Sequence, residues 1–367
     1  MRRYISNLFF TAIFAGLVPC LAAQSYTESQ NIRRSFLVNK NSTVDIANKY
    51  GRVQIFRWAK DSASIDIDFR INSTNLSRIN RIKSWIGFDI TGSGSFVSAK
   101  TVFQSGYTSV INDIVNIAES VVDPSNQVII NYAVHVPEYV DLRINNKFGD
   151  IYLDDFGGRV DITLSNGELK ANKLNGKSSI EINFGGGYAS DIRDGKLNLS
   201  YADFQIKNAG QLFLTSRSSK ATIDNVESLR LDSRRDKIRL NKLSDISGST
   251  YFSELWVDEI MNESNLNMKY GSLNFDRINR NFSLIRLTSE YTDIDLFFEN
   301  EASYNLDLTY PNDAFVRLPH DIGKFEEKIA EGEMPVRMVY GPVGKNPSKS
   351  KVTVTLMKKA NVSINQR

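Results

Sequence analysis

Thiols and imidazoles are nearly absent from the sequence. Its 367 residues include one cysteine, Cys20, and two histidines, His135 and His320, which lie far apart along the chain. A single thiol cannot form an internal disulfide, and no paired-histidine or HExxH pattern occurs, so a zinc hydrolase is not expected. A Gly-x-Ser-x-Gly nucleophile elbow is missing as well. The sequence therefore offers none of the common catalytic or metal-binding motifs.

Long hydrophobic runs are missing except at the N-terminus. Arg2 and Arg3 precede an apolar stretch at 8–18, and Leu-Ala-Ala at 21–23 provides a small-residue cleavage site. This pattern predicts a secretory signal peptide over residues 1–23. No later segment reaches the roughly 18 consecutive apolar residues that are typical of a transmembrane helix. The mature protein is thus expected to be exported.

A lipid anchor at Cys20 is disfavoured. Pro19 occupies the place where a lipoprotein signal needs a small residue. Cleavage of the predicted signal would remove Cys20, which leaves no thiol for disulfides, thiol catalysis or cysteine-bound metal. The expected location is the periplasm or the outer-membrane surface, and the lack of an extra C-terminal sorting domain favours the periplasm.

No charge of one sign dominates. The formal net charge is +3, and removal of the two arginines at the start leaves 43 basic against 42 acidic side chains. Such balance gives no electrostatic argument for nucleic acid or for an anionic membrane. Nucleic acid is therefore not an expected partner. The expected partner, an envelope protein or a glycan, comes from the resemblance described below, and the oligomeric state stays open.

What the sequence does contain is a short repeat. The unit combines a polar residue, an aromatic or turn former, a small residue and alternating apolar positions, as in 146–153, 164–171 and 268–275. It recurs at steps of 17 or 18 residues, with a last step of 21. A fixed short period is typical of a solenoid. The third positions of the units, hereafter the rung positions, are Phe148, Asn166, Phe184, Tyr201, Ser218, Arg235, Phe252, Tyr270 and Tyr291.

Each unit contains two alternating runs that predict β-strands. Residues 150–153 and 159–164 are one such pair, separated by a polar and glycine-rich turn. The predicted fold is all-β, a single-stranded β-solenoid with coils of 17–18 residues. Strands about 4.8 Å apart would give it a length of about 40 Å. In the second run Val160, Ile162 and Leu164 should face the core, with Asp161 and Thr163 outward.

The repeat suggests a division of the chain. Residues 24–145 should form N-terminal strands with a helical or loop insertion, 146–298 the solenoid, and 299–367 a C-terminal cap of strands. Asn48-Lys-Tyr-Gly51 matches Asn146-Lys-Phe-Gly149, so we expect an outlying copy of the repeat about a hundred residues upstream.

Two segments outside the repeat show helical spacing. The insertion at 72–124 has Ile79, Ile82 and Trp85 on one face and a second amphipathic pattern at 107–122. The second pattern has no Lys or Arg, which favours packing over the solenoid end rather than on a membrane. In the cap, Tyr304–Tyr310 and 351–356 predict strands, and 325–331 predicts a short polar helix.

Acidic side chains are the first candidates for chemistry. Paired carboxylates can cleave glycosides, and a carboxylate-rich corner formed by Asp154 and Asp155 with Asp191 or Asp194 could bind calcium. Outward aspartates at solenoid turns also serve solubility, and we favour that interpretation. The residues concerned are Asp150, Asp154, Asp155, Asp191, Asp194, Asp293 and Asp295.

The rung positions and a neighbouring basic cluster are the second candidates. Aromatic rungs could form an exposed ladder for sugar rings, but stacking with one another inside a corner is favoured. Ser218 and Arg235 interrupt the aromatic series, and this break is the one feature that suggests a specific contact. The basic cluster is Arg217, Lys220, Arg230, Arg234, Arg235, Lys237 and Arg239, diluted by Asp224, Glu227, Asp232 and Asp236 into a charge-mixed face.

Glycine runs at 157–158 and 185–187 could suggest a phosphate cradle. Neither run precedes Lys-Ser/Thr or a helical pattern. We therefore predict turns, in which glycine supplies positive φ at the solenoid corners.

The Asn-Lys-Tyr/Phe-Gly units and the lead-in Asn-Tyr-Ala-Val-His-Val-Pro at 131–137 resemble the bacterial "putative adhesin" β-helical domain family, common in Bacteroidetes envelopes. The resemblance covers about Phe36 to the C-terminus and implies an envelope β-solenoid without an established catalytic motif. The expected function is a non-catalytic, adhesin-like interaction surface or scaffold. The alternatives are a β-helix polysaccharide lyase or hydrolase, and self-association through the solenoid ends.

Overall fold

The computed structural model describes residues 25–104, 127–319, 321–330, 335–345 and 349–366. This part of the chain is all-β apart from one helix, and its strands form one hydrogen-bonded sheet. The predicted signal peptide, Cys20, the predicted helix at 107–122 and His320 lie outside the described residues.

The helix is α1 (Leu76–Trp85), and the strands are β1 (Tyr26–Leu37), β2 (Thr43–Lys49), β3 (Val53–Arg57), β4 (Ser62–Ser73), β5 (Ile86–Ser93), β6 (Phe96–Phe103), β7 (Gln127–Val136), β8 (Asp141–Lys147), β9 (Ile151–Leu153), β10 (Val160–Ser165), β11 (Glu168–Arg217), β12 (Lys220–Arg234), β13 (Lys237–Ile278), β14 (Leu284–Phe298), β15 (Tyr304–Pro311), β16 (Phe315–Arg317), β17 (Glu326–Ala330), β18 (Val336–Val343), β19 (Lys351–Leu356) and β20 (Asn361–Gln366).

Successive repeat units pair in parallel, at offsets equal to the sequence period. Val160 of β10 pairs with Leu142 of β8 and with Ser178 of β11. Further along, Lys220 of β12 pairs with Asp203 of β11 and with Lys237 of β13. The pairing of β13 with β14 has the longer offset of the last step. The repeat in the sequence is therefore a repeat of main-chain hydrogen bonding.

The chain bends at the rung positions. Each of the nine has a positive φ, between 51° and 60°, and Tyr50 of the outlying copy has φ 67°. This left-handed conformation costs a non-glycine residue about 1–2 kcal/mol. The two longest strands, β11 and β13, run through such bends at Phe184, Tyr201, Phe252 and Tyr270.

The core lies along the alternating apolar positions. Val160, Ile162 and Leu164 are at most 2% exposed, as predicted, while Asp161 and Thr163 are half-buried. The same alternation continues through β12 with Ala221, Ile223 and Leu231. Alternate side chains of these strands are thus buried, on one face of the sheet.

The outlying copy of the repeat is confirmed. Asn48 of β2 pairs in parallel with Asn146 of β8, and Val53 of β3 pairs with Ile151 of β9. Beyond them β6, from the insertion, pairs with β2, and β7, which follows the insertion, pairs with β3. These two strands cover the edge that this repeat unit would otherwise expose.

The insertion itself is only partly as predicted. Helix α1 has Asn75 as its N-cap and buries Ile79 and Ile82, which confirms the helical spacing there. Sequence patterns missed β1 and the β5–β6 hairpin, where Phe88 pairs with Thr101.

The C-terminal strands enter the stack out of sequence order. Both β19 and β20 pair in parallel with β14, and β15 and β16 then pair with β19 and β20 on the far side. Strand β19 therefore lies between β14 and β15, and β20 lies between β14 and β16. The predicted helix at 325–331 is wrong: this segment contains β17, an antiparallel partner of β18, because β18 offers a free edge there.

The expected role of glycine at the corners is confirmed in part, because Gly187 has φ 155° whereas no other glycine of the runs 157–158 and 185–187 has a positive φ. At the bend before Gly185 the positive φ belongs to Phe184. A Cβ on Gly185 would lie 2.1 Å from the carbonyl oxygen of Gly167, and one on Gly149 would lie 2.1 Å from that of Gly51. These glycines permit close approach of successive coils rather than the bend itself.

Candidate functional site

The aromatic rungs form three stacks of rings in one column, hereafter the ladder, as the rung alignment predicted. Asn166 separates the first stack from the second, and Ser218 and Arg235 separate the second from the third. The ring planes are tilted by no more than 12° within each stacked pair. The centroid distances are 5.5 Å for Tyr50–Phe148, 5.1 Å for Phe184–Tyr201, 4.5 Å for Phe252–Tyr270 and 5.2 Å for Tyr270–Tyr291.

The favoured location of these rings inside a corner is wrong. Phe184 is 58% exposed, Tyr201 54% and Phe252 47%. The left-handed rung residue projects outward, while the next residue, such as Ala202 or Ser253, is buried. The ladder therefore lies on the surface, and only Tyr50 at its N-terminal end is buried.

The ladder permits a prediction about stability. Tyr270 stacks on both faces, whereas Tyr201 stacks on one. Asparagine tolerates the left-handed conformation better than tyrosine, so each Tyr→Asn change regains part of the backbone cost. A stacked pair contributes about 0.5–1.5 kcal/mol. We expect Tyr270→Asn to lower the free energy of unfolding by about 1–2 kcal/mol, and Tyr201→Asn to change it by less than about 1 kcal/mol.

Urea unfolding followed by circular dichroism measures both variants of the ladder. Asn166, with φ 56°, shows that asparagine adopts the rung conformation in this fold. Equal effects at positions 201 and 270 would contradict a contribution from stacking.

The break in the ladder carries a patch of basic residues. Ser218 and Arg235 occupy consecutive rungs between Tyr201 and Phe252, as the alignment predicted. We define the ladder break as these two rungs with the basic side chains beside them. Those side chains, all exposed, belong to Arg217, Lys220, Arg234, Arg235 and Lys237.

Asp236 does not dilute this patch as the sequence suggested. It is 2% exposed, beneath the ladder, and its carboxylate accepts hydrogen bonds from the main-chain N–H groups of Ser219 and Arg234, both at 2.8 Å. The hydroxyls of Ser216 and Ser233 donate to it as well. Asp236 is therefore not one of the exposed acidic side chains of the patch.

A second cluster was missed by sequence reasoning. The Lys49 ammonium lies 4.7 Å from the centroid of Tyr50, 5.5 Å from that of Phe103 and 5.8 Å from that of Phe148. Partial burial lowers the pKa of Lys49. The repeated Asn-Lys-aromatic-Gly motif was the available signal, but Phe103 comes from the insertion and could not be placed by pattern.

Three of the acidic candidates accept hydrogen bonds from neighbouring strands through their carboxylates. Asp150 and Asp155 each accept a main-chain N–H 18 residues further on, from Glu168 and Lys173. Asp293 accepts from Asn361. Within the described ranges no group of three or more His, Cys, Asp or Glu side chains is placed to hold a metal ion.

Asp191 is the acidic candidate with the clearest electrostatic setting. Ser190 Oγ donates to it at 2.7 Å and Asn208 Nδ2 at 3.0 Å. These bonds, that of Ser190 first, lower the pKa of Asp191, with a further contribution from Lys173 and Lys207. Asn225 donates in turn to Asn208, so the contact belongs to a side-chain ladder along the coils.

The lowered pKa of Asp191 predicts a pH-dependent contribution to stability. A carboxyl whose folded pKa is depressed stabilises the fold fully above its unfolded pKa of about 3.9, and this is lost as the pH falls through the folded pKa. Asp191→Asn should therefore melt at a lower temperature than the unchanged protein at neutral pH. Thermal melts down to about pH 2 should show the two converging; a constant difference would contradict this assignment.

No helix within the described ranges is both long enough and apolar enough to cross a membrane. His135 lies in β7 as predicted, with its ring stacked 4.9 Å from that of Phe56.

Comparison with known proteins finds similarity among solved structures. No protein-family model and no curated protein matches the sequence. The chain is similar to a "putative cell adhesion protein" from Clostridium sporogenes, with 10% identity, a TM-score of 0.20 and coverage of 92% of this chain and 100% of that one. It is also similar to a "putative adhesin" from Parabacteroides distasonis (6% identity, TM-score 0.31, coverage 92% and 97%) and one from Bacteroides fragilis (9%, 0.26, 92% and 97%).

Proposed function

We propose that the protein is a β-solenoid of the cell envelope that acts as a non-catalytic, adhesin-like interaction surface. The observation that carries the proposal is the exposed aromatic ladder. Phe184, Tyr201 and Phe252 keep about half of their surface in contact with solvent on a rigid parallel sheet. Exposed apolar surface in a regular array is typical of a binding site.

The backbone at the ladder supports the same proposal. Each rung adopts a left-handed conformation that glycine or asparagine would adopt at lower cost, yet most rungs are aromatic. Strained backbone is commonly found at functional sites. Aromatic side chains at these positions gain stacking energy, and their outward placement makes them available to a ligand.

The proposal can be tested by binding of the purified protein to an array of glycans and cell-envelope fractions. Release of reducing ends is assayed on the same samples, because a polysaccharide lyase or hydrolase would produce them. We expect saturable binding without product. Product formation that Asp154→Asn or Asp191→Asn abolishes would replace the proposal with an enzymatic function. Absence of binding to every glycan and envelope fraction would contradict it.

A further inference from the structure

We propose that the ladder break binds an acidic polysaccharide. Sugar rings would stack against Tyr201 and Phe252, and carboxylate or sulfate groups would contact the basic side chains between them. This inference rests on the proposed interaction surface and names its ligand class.

The ladder break leaves two ring faces uncovered. Tyr201 stacks on Phe184 with an interplanar angle of 1°, so its opposite face is directed toward the rung of Ser218. The serine side chain is too short to cover that face. Phe252 stacks on Tyr270, and the ring of Tyr251 lies at right angles to it with the centroids 4.6 Å apart. The face of Phe252 opposite Tyr270 is directed toward the rung of Arg235. Within an intact ladder the rings cover one another, so open faces occur where it is interrupted.

The space between these faces suits a ring-shaped ligand. Tyr201 and Phe252 are three coils apart, or about 14 Å along the stack at the usual strand spacing. Ser218 occupies one of the two intervening rungs with a single hydroxymethyl group. The C–H face of a sugar ring can stack on an aromatic ring, as the π face of a planar base does. Such stacking needs an aromatic face that no neighbouring ring covers.

The charge of the ladder break favours an anion. Arg217, Lys220, Arg234 and Arg235 form no ion pair in the part of the chain that the structure describes, although Arg234 lies 5.2 Å from the ring of Tyr251. Lys237 pairs with Glu254 at 3.6 Å. Exposed acidic side chains at the margin belong to Asp203 and Asp232.

At the surface of the ladder break, basic side chains therefore outnumber acidic ones. Asp236 is close in sequence to these basic residues, but its carboxylate is buried and accepts hydrogen bonds from four donors. Arginine matches the geometry of planar carboxylates and of sulfates through paired N–H groups. Complementary charge thus selects an acidic chain over a neutral one.

The shape of the site favours a linear polymer. The ladder is one residue wide and runs perpendicular to the strands, so its rungs follow each other at about 4.8 Å. Polar side chains such as Ser200, Asp203 and Glu254 border it on both sides. A membrane surface would need a broad apolar face. A saccharide chain can instead follow the rungs and place successive acidic groups beside Arg217 and Arg235.

Calorimetric titration of the purified protein with oligogalacturonate tests the inference, with a neutral oligoglucan of equal length for comparison. We expect the acidic probe to bind at least about tenfold more tightly, with affinity falling as salt rises. Tyr201→Ser and Arg235→Ser should each weaken binding by about tenfold. Ser218 shows that serine fits a rung, so both variants should retain the fold, which circular dichroism verifies.

Two matched variants serve as controls. Trp256→Ser removes an exposed ring away from the ladder, and Lys207→Ser removes an exposed charge away from the break. Both should bind within about twofold of the unchanged protein. Equal binding of acidic and neutral probes, or equal effects of site and control variants, would overturn the inference.

Competing ligands separate the inference from the proposed function. Tighter binding to phosphatidylglycerol vesicles or to single-stranded DNA than to oligogalacturonate would overturn the choice of polysaccharide. Failure to bind the acidic probe, with binding to other glycans on the array, would overturn this inference and leave the proposed interaction surface intact. Failure to bind anything on the array would contradict the proposed function itself.

Discussion

We expect Asp236→Ala to lower the free energy of unfolding by roughly 2–6 kcal/mol. The carboxylate accepts from the main-chain N–H groups of Ser219 and Arg234, each at 2.8 Å. Alanine would leave both donors without an acceptor in a corner where Ser219 is 6% exposed. A buried donor without a partner costs about 1–3 kcal/mol, which gives the expected range for two.

The serine hydroxyls strengthen this expectation. Ser233 Oγ donates to Asp236 at 2.7 Å and also lies 2.9 Å from Ser253 Oγ, so the network joins three consecutive coils. Removal of its central acceptor affects the stacking of each of them. Urea unfolding followed by circular dichroism measures the loss.

Neighbouring coils supply the matched variants. Ser219 Oγ and Ser253 Oγ, at the equivalent positions, each accept a main-chain N–H from the preceding coil, from Ala202 at 3.1 Å and Asp236 at 3.2 Å. Asp236→Ser should therefore keep the bond from Ser219 and lose less than Asp236→Ala. Asp232→Ala, at an exposed position, should change stability by no more than about 0.5 kcal/mol. Similar losses for Asp232→Ala and Asp236→Ala would contradict the role of the network.

Gly149→Ala should lower the free energy of unfolding by about 3 kcal/mol. A Cβ at this position would lie 2.1 Å from the carbonyl oxygen and 2.5 Å from the carbonyl carbon of Gly51. Both are main-chain atoms of the adjoining coil, so no side-chain rotation relieves the contact. The coils at the β3–β9 pairing would have to separate, and overpacking of this kind costs about 1–3 kcal/mol or more.

Ala202→Gly is the reciprocal control for Gly149→Ala. Ala202 follows the rung Tyr201 as Gly149 follows the rung Phe148, but its coil already accommodates a Cβ. We expect a loss of about 0.5–1 kcal/mol, from the added freedom of glycine in the unfolded chain. Thermal unfolding of both variants measures the two losses of stability. Comparable losses would show that close approach of the main chain does not limit the coil at Gly149.

The sequence was most informative where one rule applies to every coil. The alternation at 159–164 predicted the core residues Val160, Ile162 and Leu164. The match of 48–51 with 146–149 predicted an outlying copy of the repeat about a hundred residues upstream, and the structure pairs the two directly. Local alternation and periodicity depend on residues close in sequence, so both can be recognised without the tertiary structure.

The C-terminal region shows where such rules end. Strands at 304–310 and 351–356 were predicted correctly, but their order in the stack was not. Strands β19 and β20 pair with β14 ahead of β15, a choice among long-range partners that no local pattern encodes. The helix predicted at 325–331 is wrong for the same reason. Pairing with the edge of β18 overrides the local preference of these polar residues for a helix.

For the candidate site, the alignment alone determined which residues would form one column and where its aromatic series would be interrupted. It could not determine that the column faces solvent or that Asp236 is buried beneath it. Those outcomes depend on the backbone at each rung, which turns Tyr201 outward and the following residue inward. Spacing is a property of the chain itself. The exposure of each side chain is decided only when strands far apart in sequence pair and exclude water from one face of the sheet.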